Sequence, residues 1–81
     1  MTMNKNFRSG YSWSLVEHVR ASDQSLPHIQ FASYAILNKI PAAAIAAEFG
    51  VSRATVYNWF KGVHSPRPGH IQQMLERMGR V

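Results

Sequence analysis

The chain has 81 residues, of which 46% are hydrophobic and 11% aromatic, and a formal net charge of +5. A chain of this size forms one small domain with a modest core, and its composition is that of a folded protein rather than a disordered one. It contains no cysteine, so it can form neither a disulfide nor a thiolate metal site.

The N-terminal part of the chain divides into an arm and a short helix. Residues 1–12 are mostly polar, which predicts a flexible arm, and we expect residues 13–81 to form the single domain. Ser14 and Glu17 fit a capping box that opens a helix over about residues 14–21. Its apolar side, which could cover the core or form a dimer face, consists of Leu15, Val16 and Val19.

A second helix is predicted over residues 27–39, after a turn in which Ser25 can act as the N-cap. Apolar side chains recur there at spacings of three and four, so we expect this helix to be central in the fold. Its buried positions are expected at Ile29, Phe31, Ala32, Tyr34, Ala35, Ile36, Leu37 and Ile40.

Two more helices follow with clear boundary signals. Pro41 suits a first helical position and opens an alanine-rich helix, which Gly50 ends in the place of a left-handed C-terminal residue. Ser52 caps the next helix, predicted over residues 53–61, and Gly62 ends it in the same way.

The last helix is expected over residues 68–78, after a loop with two prolines. It would bury Ile71, either Met74 or Leu75, and Met78. No segment carries a strand signal, so the sequence predicts an all-α bundle of five short helices.

The helix at residues 53–61 has two chemically different sides. At about 100° per residue, Val56, Trp59 and Val63 lie together, with Phe60 at their edge. The opposite side, within an arc of about 140°, carries Arg53, Ala54, Tyr57, Asn58 and Lys61. These are side-chain types that contact base edges and phosphates.

The charge distribution supports a polyanionic partner. The sequence has no acid between Glu48 and Glu76, and this interval contains Arg53, Lys61 and Arg67. A basic, acid-free stretch is the electrostatic signature of a nucleic-acid interface.

The stretch from Ala42 to Lys61 resembles the helix-turn-helix motif. A short turn at Gly50 joins two helices whose inner positions must be buried where they cross. The matching positions, each with a steric reason, are Ile45, Ala46, Phe49, Gly50, Val51, Val56 and Trp59.

The surroundings, from about residue 27 to about residue 78, look like the Cro/C1-type repressor family, because Gly62 is followed by a short loop and an amphipathic helix. The resemblance implies a lambda-repressor-like bundle that binds double-stranded DNA, usually as a homodimer on a palindromic operator, in the cytoplasm of a bacterial or phage-infected cell. By position, Arg53, Ala54, Tyr57 and Asn58 would face bases, while Ser52, Thr55 and Lys61 would lie nearer the phosphates. Pro41 and Ala42 depart from the Thr-Gln that often opens the first motif helix, and the N-terminal helix has no counterpart in the minimal family.

Other interpretations remain open. Tyr57 could be a core aromatic instead of a base reader. The run from Val51 to Tyr57 also resembles DNA-binding parts of resolvases and transposases, which would make the chain a targeting factor. The N-terminal helix could instead contact a protein, such as the transcription machinery. The sequence has no carboxylate pair on one face, Gly-rich phosphate loop or His-Ser-Asp set that would support catalysis or a cofactor. The histidines at positions 18, 28, 64 and 70 lack the ligand spacing of a metal site.

Overall fold

A computed structural model describes residues 11–80 of the chain, and this part confirms the all-α prediction. It contains five α-helices and no strand, and none of the five is long and apolar enough to cross a membrane. The helices are α1 (Trp13–Ala21), α2 (Pro27–Leu37), α3 (Ala42–Phe49), α4 (Arg53–Lys61) and α5 (Pro68–Arg77).

The first helix begins earlier than the sequence predicted. Ser12 is the N-cap, with an extended backbone, and its hydroxyl accepts a hydrogen bond from the backbone N–H of Leu15 at 3.1 Å. Ser14 is therefore already helical, and the predicted capping box with Glu17 does not form. The carboxylate of Glu17 instead lies 3.4 Å from the guanidinium of Arg20 on the exposed surface.

Tyr11 belongs to the folded domain, not to an arm. The predicted arm of residues 1–12 differs from the structure at its last two positions, and residues 1–10 lie outside the described part. The Tyr11 side chain is completely buried, and its hydroxyl donates to the backbone carbonyl of Ile40 at 2.8 Å. Burial raises the pKa of Tyr11, so the phenol keeps the proton that it donates.

The sequence predicted that Ser25 caps the start of α2, but it does not. The backbone N–H and hydroxyl of Ser25 donate to the carboxylate of Asp23 at 2.9 and 2.6 Å, which closes the turn before the helix. These hydrogen bonds hold the pKa of Asp23 below its ordinary value, and the one from the Ser25 hydroxyl has the larger effect. Leu26 takes the N-cap position without a side-chain hydrogen bond.

The end of α2 also differs from the prediction. The helix stops at Leu37, two residues early, because Lys39 adopts a left-handed backbone with φ of 56°. Leu37, expected to be buried, is 80% exposed in the last helical position. Inside the helix, Ile29, Phe31, Ala32 and Ala35 are buried.

The turn between α3 and α4 has the geometry expected from its residues. Gly50 has a φ of +68° and Gly62, after α4, a φ of +76°, so both occupy the left-handed region. Ser52 caps α4 by accepting from the backbone N–H of Thr55 at 3.1 Å. Pro41 is the N-cap of α3 rather than its first helical residue, a shift of one position.

Aromatic rings from α2, α3 and α4 meet at the centre of the core. The Phe31 ring lies 5.5 Å from that of Phe49 and 6.5 Å from that of Phe60, and the Phe49 ring lies 5.9 Å from that of Trp59. Of the seven motif positions, the structure buries Ile45, Ala46, Phe49, Val56 and Trp59, half-buries Val51 and exposes Gly50.

Two inner positions of α4 differ from the helical-wheel expectation. Phe60, expected at the edge, is completely buried, whereas Val63 is 60% exposed. The reason is that α4 ends at Lys61, so the left-handed Gly62 directs Val63 away from the apolar side.

Helix α5 packs on α2 and reaches α3. It ends at Arg77, one residue before the predicted end, and buries Met74 completely while Ile71 and Leu75 stay half-buried. The Arg77 guanidinium lies 3.4 Å from the Glu48 carboxylate on α3. Because α5 lies on the α2 and α3 side of the bundle, it does not cover the outer face of α4.

Candidate nucleic-acid interface

The outer face of α4 gathers the residues that the sequence predicted to face bases. Arg53 and Ala54 are exposed, and Tyr57 and Asn58 are half-buried. Ala54, Tyr57 and Asn58 line one shallow depression of about 380 Å³, whereas Arg53 lies at the start of the helix outside it. The helix thus presents polar groups one above another along one side.

The predicted phosphate-contacting residues lie at the two ends of the same helix. Ser52 and Thr55 are at its N-terminus, where their hydroxyls are 3.0 Å apart and Ser52 performs the cap. Lys61, in the last turn, is exposed and also lines the depression. The first turn of α4 contains no acid, and Arg53 places a cation beside the backbone N–H groups of that turn.

Two acids of the described residues form ion pairs away from the outer face of α4. Glu48 pairs with Arg77 on the α3–α5 side, and Glu17 pairs with Arg20 on α1. No carboxylate of the described residues lies within ion-pair distance of Arg53 or Lys61. Because their charges are not neutralised locally, the outer face of α4 remains electropositive.

Tyr57 has one side in the core and another on the surface depression. Its ring packs edge-on against the buried ring of Tyr11, with centroids 6.4 Å apart and an interplanar angle of 85°. It also lines the depression beside Asn58. The core therefore fixes the ring from one side while the half-buried residue stays accessible from the other.

Helix α1 packs against α4, which the sequence did not predict. His18 Nε2 donates to the backbone carbonyl of Lys61 at 2.9 Å, since a carbonyl can only accept, and this satisfies a carbonyl in the last turn of α4. The contact joins residues 43 positions apart, so no local pattern could have revealed it.

The four histidines lie in different surroundings. Among the described residues no group of three or more potential ligands is arranged to hold a metal ion. The His70 ring lies 5.1 Å from that of Trp59, His64 is exposed, and His28 is buried in the core. Burial lowers the pKa of His28 because the charged imidazolium is poorly solvated there.

Comparison with known proteins supports the helix-turn-helix interpretation. Residues 32–65 match a family model described as a homeodomain-like domain. The match begins within α2 and ends just after α4, so it contains the two motif helices and leaves out α1 and α5. No curated protein and no solved structure matches the chain. The match supports a helix-turn-helix family, and the finer Cro/C1-type resemblance remains a prediction.

Proposed function

We propose that this protein is a sequence-specific DNA-binding transcriptional regulator, acting as a repressor, which inserts α4 into the major groove. The observation that carries the proposal is the outer face of α4, which is cationic, rich in hydrogen-bonding side chains and free of acids. The homeodomain-like match over residues 32–65 supports it, because such helix-turn-helix units are typically DNA-binding.

Four residues are proposed to read bases. Arg53 can form a bidentate pair with guanine, and Asn58 can form one with adenine. Ala54 and Tyr57 offer apolar surface to a thymine methyl group. Tyr57 is suited to this role because Tyr11 supports its ring from below.

Three residues are proposed to contact the backbone of the DNA. Lys61 provides a cation, and Ser52 and Thr55 place hydroxyls beside the backbone N–H groups at the start of α4. Such contacts fix the register of the helix without reading sequence.

The proposed regulator acts as a homodimer in the cytoplasm of a bacterial or phage-infected cell, without catalysis or a cofactor. A two-fold dimer of helix-turn-helix domains binds half-sites about one helical turn apart, so its operator is palindromic.

Selection from a random duplex DNA library at about 150 mM salt tests the proposal, because non-specific phosphate binding is weakened there. We expect enrichment of a palindrome with half-sites about 10 bp apart. A single non-palindromic site would retain sequence-specific binding and refute the dimer. No enrichment would refute sequence recognition.

A second candidate is a DNA-targeting accessory factor of the recombinase or transposase type. It is favoured by the run Val51–Tyr57, VSRATVY, and by a family match that is homeodomain-like rather than Cro/C1-type. A reporter promoter that carries the selected site separates the two, because a repressor lowers transcription from it, whereas a targeting factor leaves transcription unchanged.

A further inference from the structure

Two adjoining depressions lie between α1 and α4, on the side of α1 that faces the proposed base-reading residues. The larger is the depression of about 380 Å³ that contains Ala54, Tyr57 and Asn58, together with Ser12 and Leu15. The second, of about 270 Å³, shares Ser12, Leu15 and Lys61 with the first and adds Ser14 and His18. We call these two parts together the α1–α4 groove.

Both ends of α1 are fixed against α4, so the two walls of the groove hold their relative position. At one end the Tyr11 ring, immediately before the helix, contacts the rings of Tyr57 and Phe60 at centroid distances of 6.4 and 5.7 Å. Toward the other end, His18 bonds the carbonyl of Lys61. The family match does not extend to α1, so this wall is an addition to the matched unit.

The chemistry of the groove matches a sugar–phosphate strand. The exposed Ala54, with the edge of the largely buried Leu15, supplies apolar surface of the kind that packs on a deoxyribose. Ser14 and Lys61 supply a hydroxyl and a cation for a phosphate. Among the described residues no carboxylate lines either part of the groove. Charge complementarity therefore favours a polyanion.

We propose that the α1–α4 groove seats the backbone of one DNA strand beside the bases that α4 reads, so that α1 is part of the DNA interface. This inference rests on the proposed function. It gives a role to the N-terminal helix, which the sequence left between core cover, dimer face and protein contact.

The opposite side of α1 provides a matched reference. There, between α1 and α2, a smaller depression of about 230 Å³ is lined by Val16, Val19, Ile36 and Leu37, with Arg20 and Ser33. It does not include any residue of α4. Leu37 is 80% exposed, so a charged side chain fits at this position without disturbing the core.

Charge substitutions at Ser14 and Leu37 test the proposal with equal changes in net charge. Ser14 is exposed in the first turn of α1, where a glutamate suits the helix dipole and a lysine only weakly opposes it, so both variants should fold. Against the duplex selected by the unmodified protein, at about 150 mM salt, we expect Ser14→Glu to weaken binding roughly tenfold and Ser14→Lys to strengthen it several-fold. Ser14→Lys should also steepen the plot of log affinity against log salt by about 0.9.

Leu37→Glu and Leu37→Lys should each change affinity less than about twofold, because exposed charges beyond a Debye length are screened at this salt. Circular dichroism and Tm confirm that each variant is folded. If the sign of the charge at position 14 has no effect, or if both positions respond equally, the groove does not hold DNA while the proposed function stands. If the unmodified protein binds no duplex, the proposed function fails first and the inference falls with it.

Discussion

Helices α3 and α4 are the two helices of the helix-turn-helix motif, and they differ mainly on their outer faces. Both are short, both bury one side in the same aromatic core, and both end at a left-handed glycine, Gly50 or Gly62. The exposed side of α3 consists of Ala43, Ala44, Ala47 and Glu48. The outer face of α4 carries the cations and hydrogen-bonding groups described above.

The inner sides of the two helices hold the fold, and the proposed DNA contacts lie on the outer face of α4 alone. Small alanine side chains on α3 let another helix approach closely, as at the buried Ala46, and contribute no recognition chemistry. Helix α4 adds cations and hydrogen-bonding side chains on its outer face, while its inner side packs in the same core as that of α3. Variants should therefore fall into two groups, those that unfold the protein and those that only alter binding.

The largest effect is expected from Trp59→Ala on the inner side of α4. Trp59 is 3% exposed and contacts the rings of Phe49 and His70, so its removal leaves a large cavity. We expect a loss of about 3–5 kcal/mol in the free energy of unfolding, which is comparable to the whole stability of a small domain. Urea denaturation measures the loss. A change below about 1 kcal/mol would show that Trp59 does not hold the two helices together.

The second effect is on binding alone. Asn58→Ala should weaken binding to the selected duplex by about 1–3 kcal/mol and relax specificity at one base pair, while urea stability stays nearly unchanged. The control on α3 is Ala44→Ser, which changes an exposed residue and should leave affinity intact. Equal losses from the two variants would remove the distinction between the outer faces of α3 and α4.

The third effect is a loss of stability when Gly50, in the turn between α3 and α4, is replaced. Gly50→Ala should destabilise the protein by about 1–2 kcal/mol, because the left-handed region is unfavourable for a side chain. A Cβ at Gly50 would meet no atom within 4 Å, so the cost is conformational and not steric. Gly69→Ala is the control, since Gly69 lies in α5, away from the left-handed region and also in open space. There, alanine should stabilise the helix by about 0.5–1 kcal/mol, and thermal unfolding of both variants distinguishes the two cases.

How far the sequence could predict this molecule depends on the range of each interaction. Gly50 and Ser52 act on neighbouring residues, so the turn and the cap of α4 were readable from local pattern. The contacts of Tyr11 with Ile40 and of His18 with Lys61 span 29 and 43 positions. Nothing local encodes where α1 packs, so the groove beside the residues proposed to read bases could not be foreseen. The left-handed turn at Lys39, which shortens α2, was missed because the position is not a glycine.

The smallest expected effect is a pH dependence of Tm that comes from a buried core residue, His28. Since burial lowers the pKa of His28 below its ordinary value, the unfolded chain binds a proton more readily than the folded one as pH falls below about 6.5. The contribution of neutral His28 is therefore complete above that pH and is lost as pH falls through the folded pKa. We expect Tm to drop between neutral and mildly acidic pH.

His28→Leu should reduce this drop in Tm, while His64→Gln, which changes an exposed histidine, should leave it as it is. Differential scanning calorimetry of both variants and the unmodified protein measures the comparison. If the acid sensitivity survives unchanged in His28→Leu, the buried imidazole is not its source.

Amide chemical shifts, measured while the protein is titrated with the selected duplex, show whether the outer face of α4 contacts DNA. We expect the largest shift changes at residues 52–61 and at the start of α1, and little change on the exposed side of α5. Changes concentrated on α5 or on the depression between α1 and α2, with residues 52–61 unaffected, would contradict that contact.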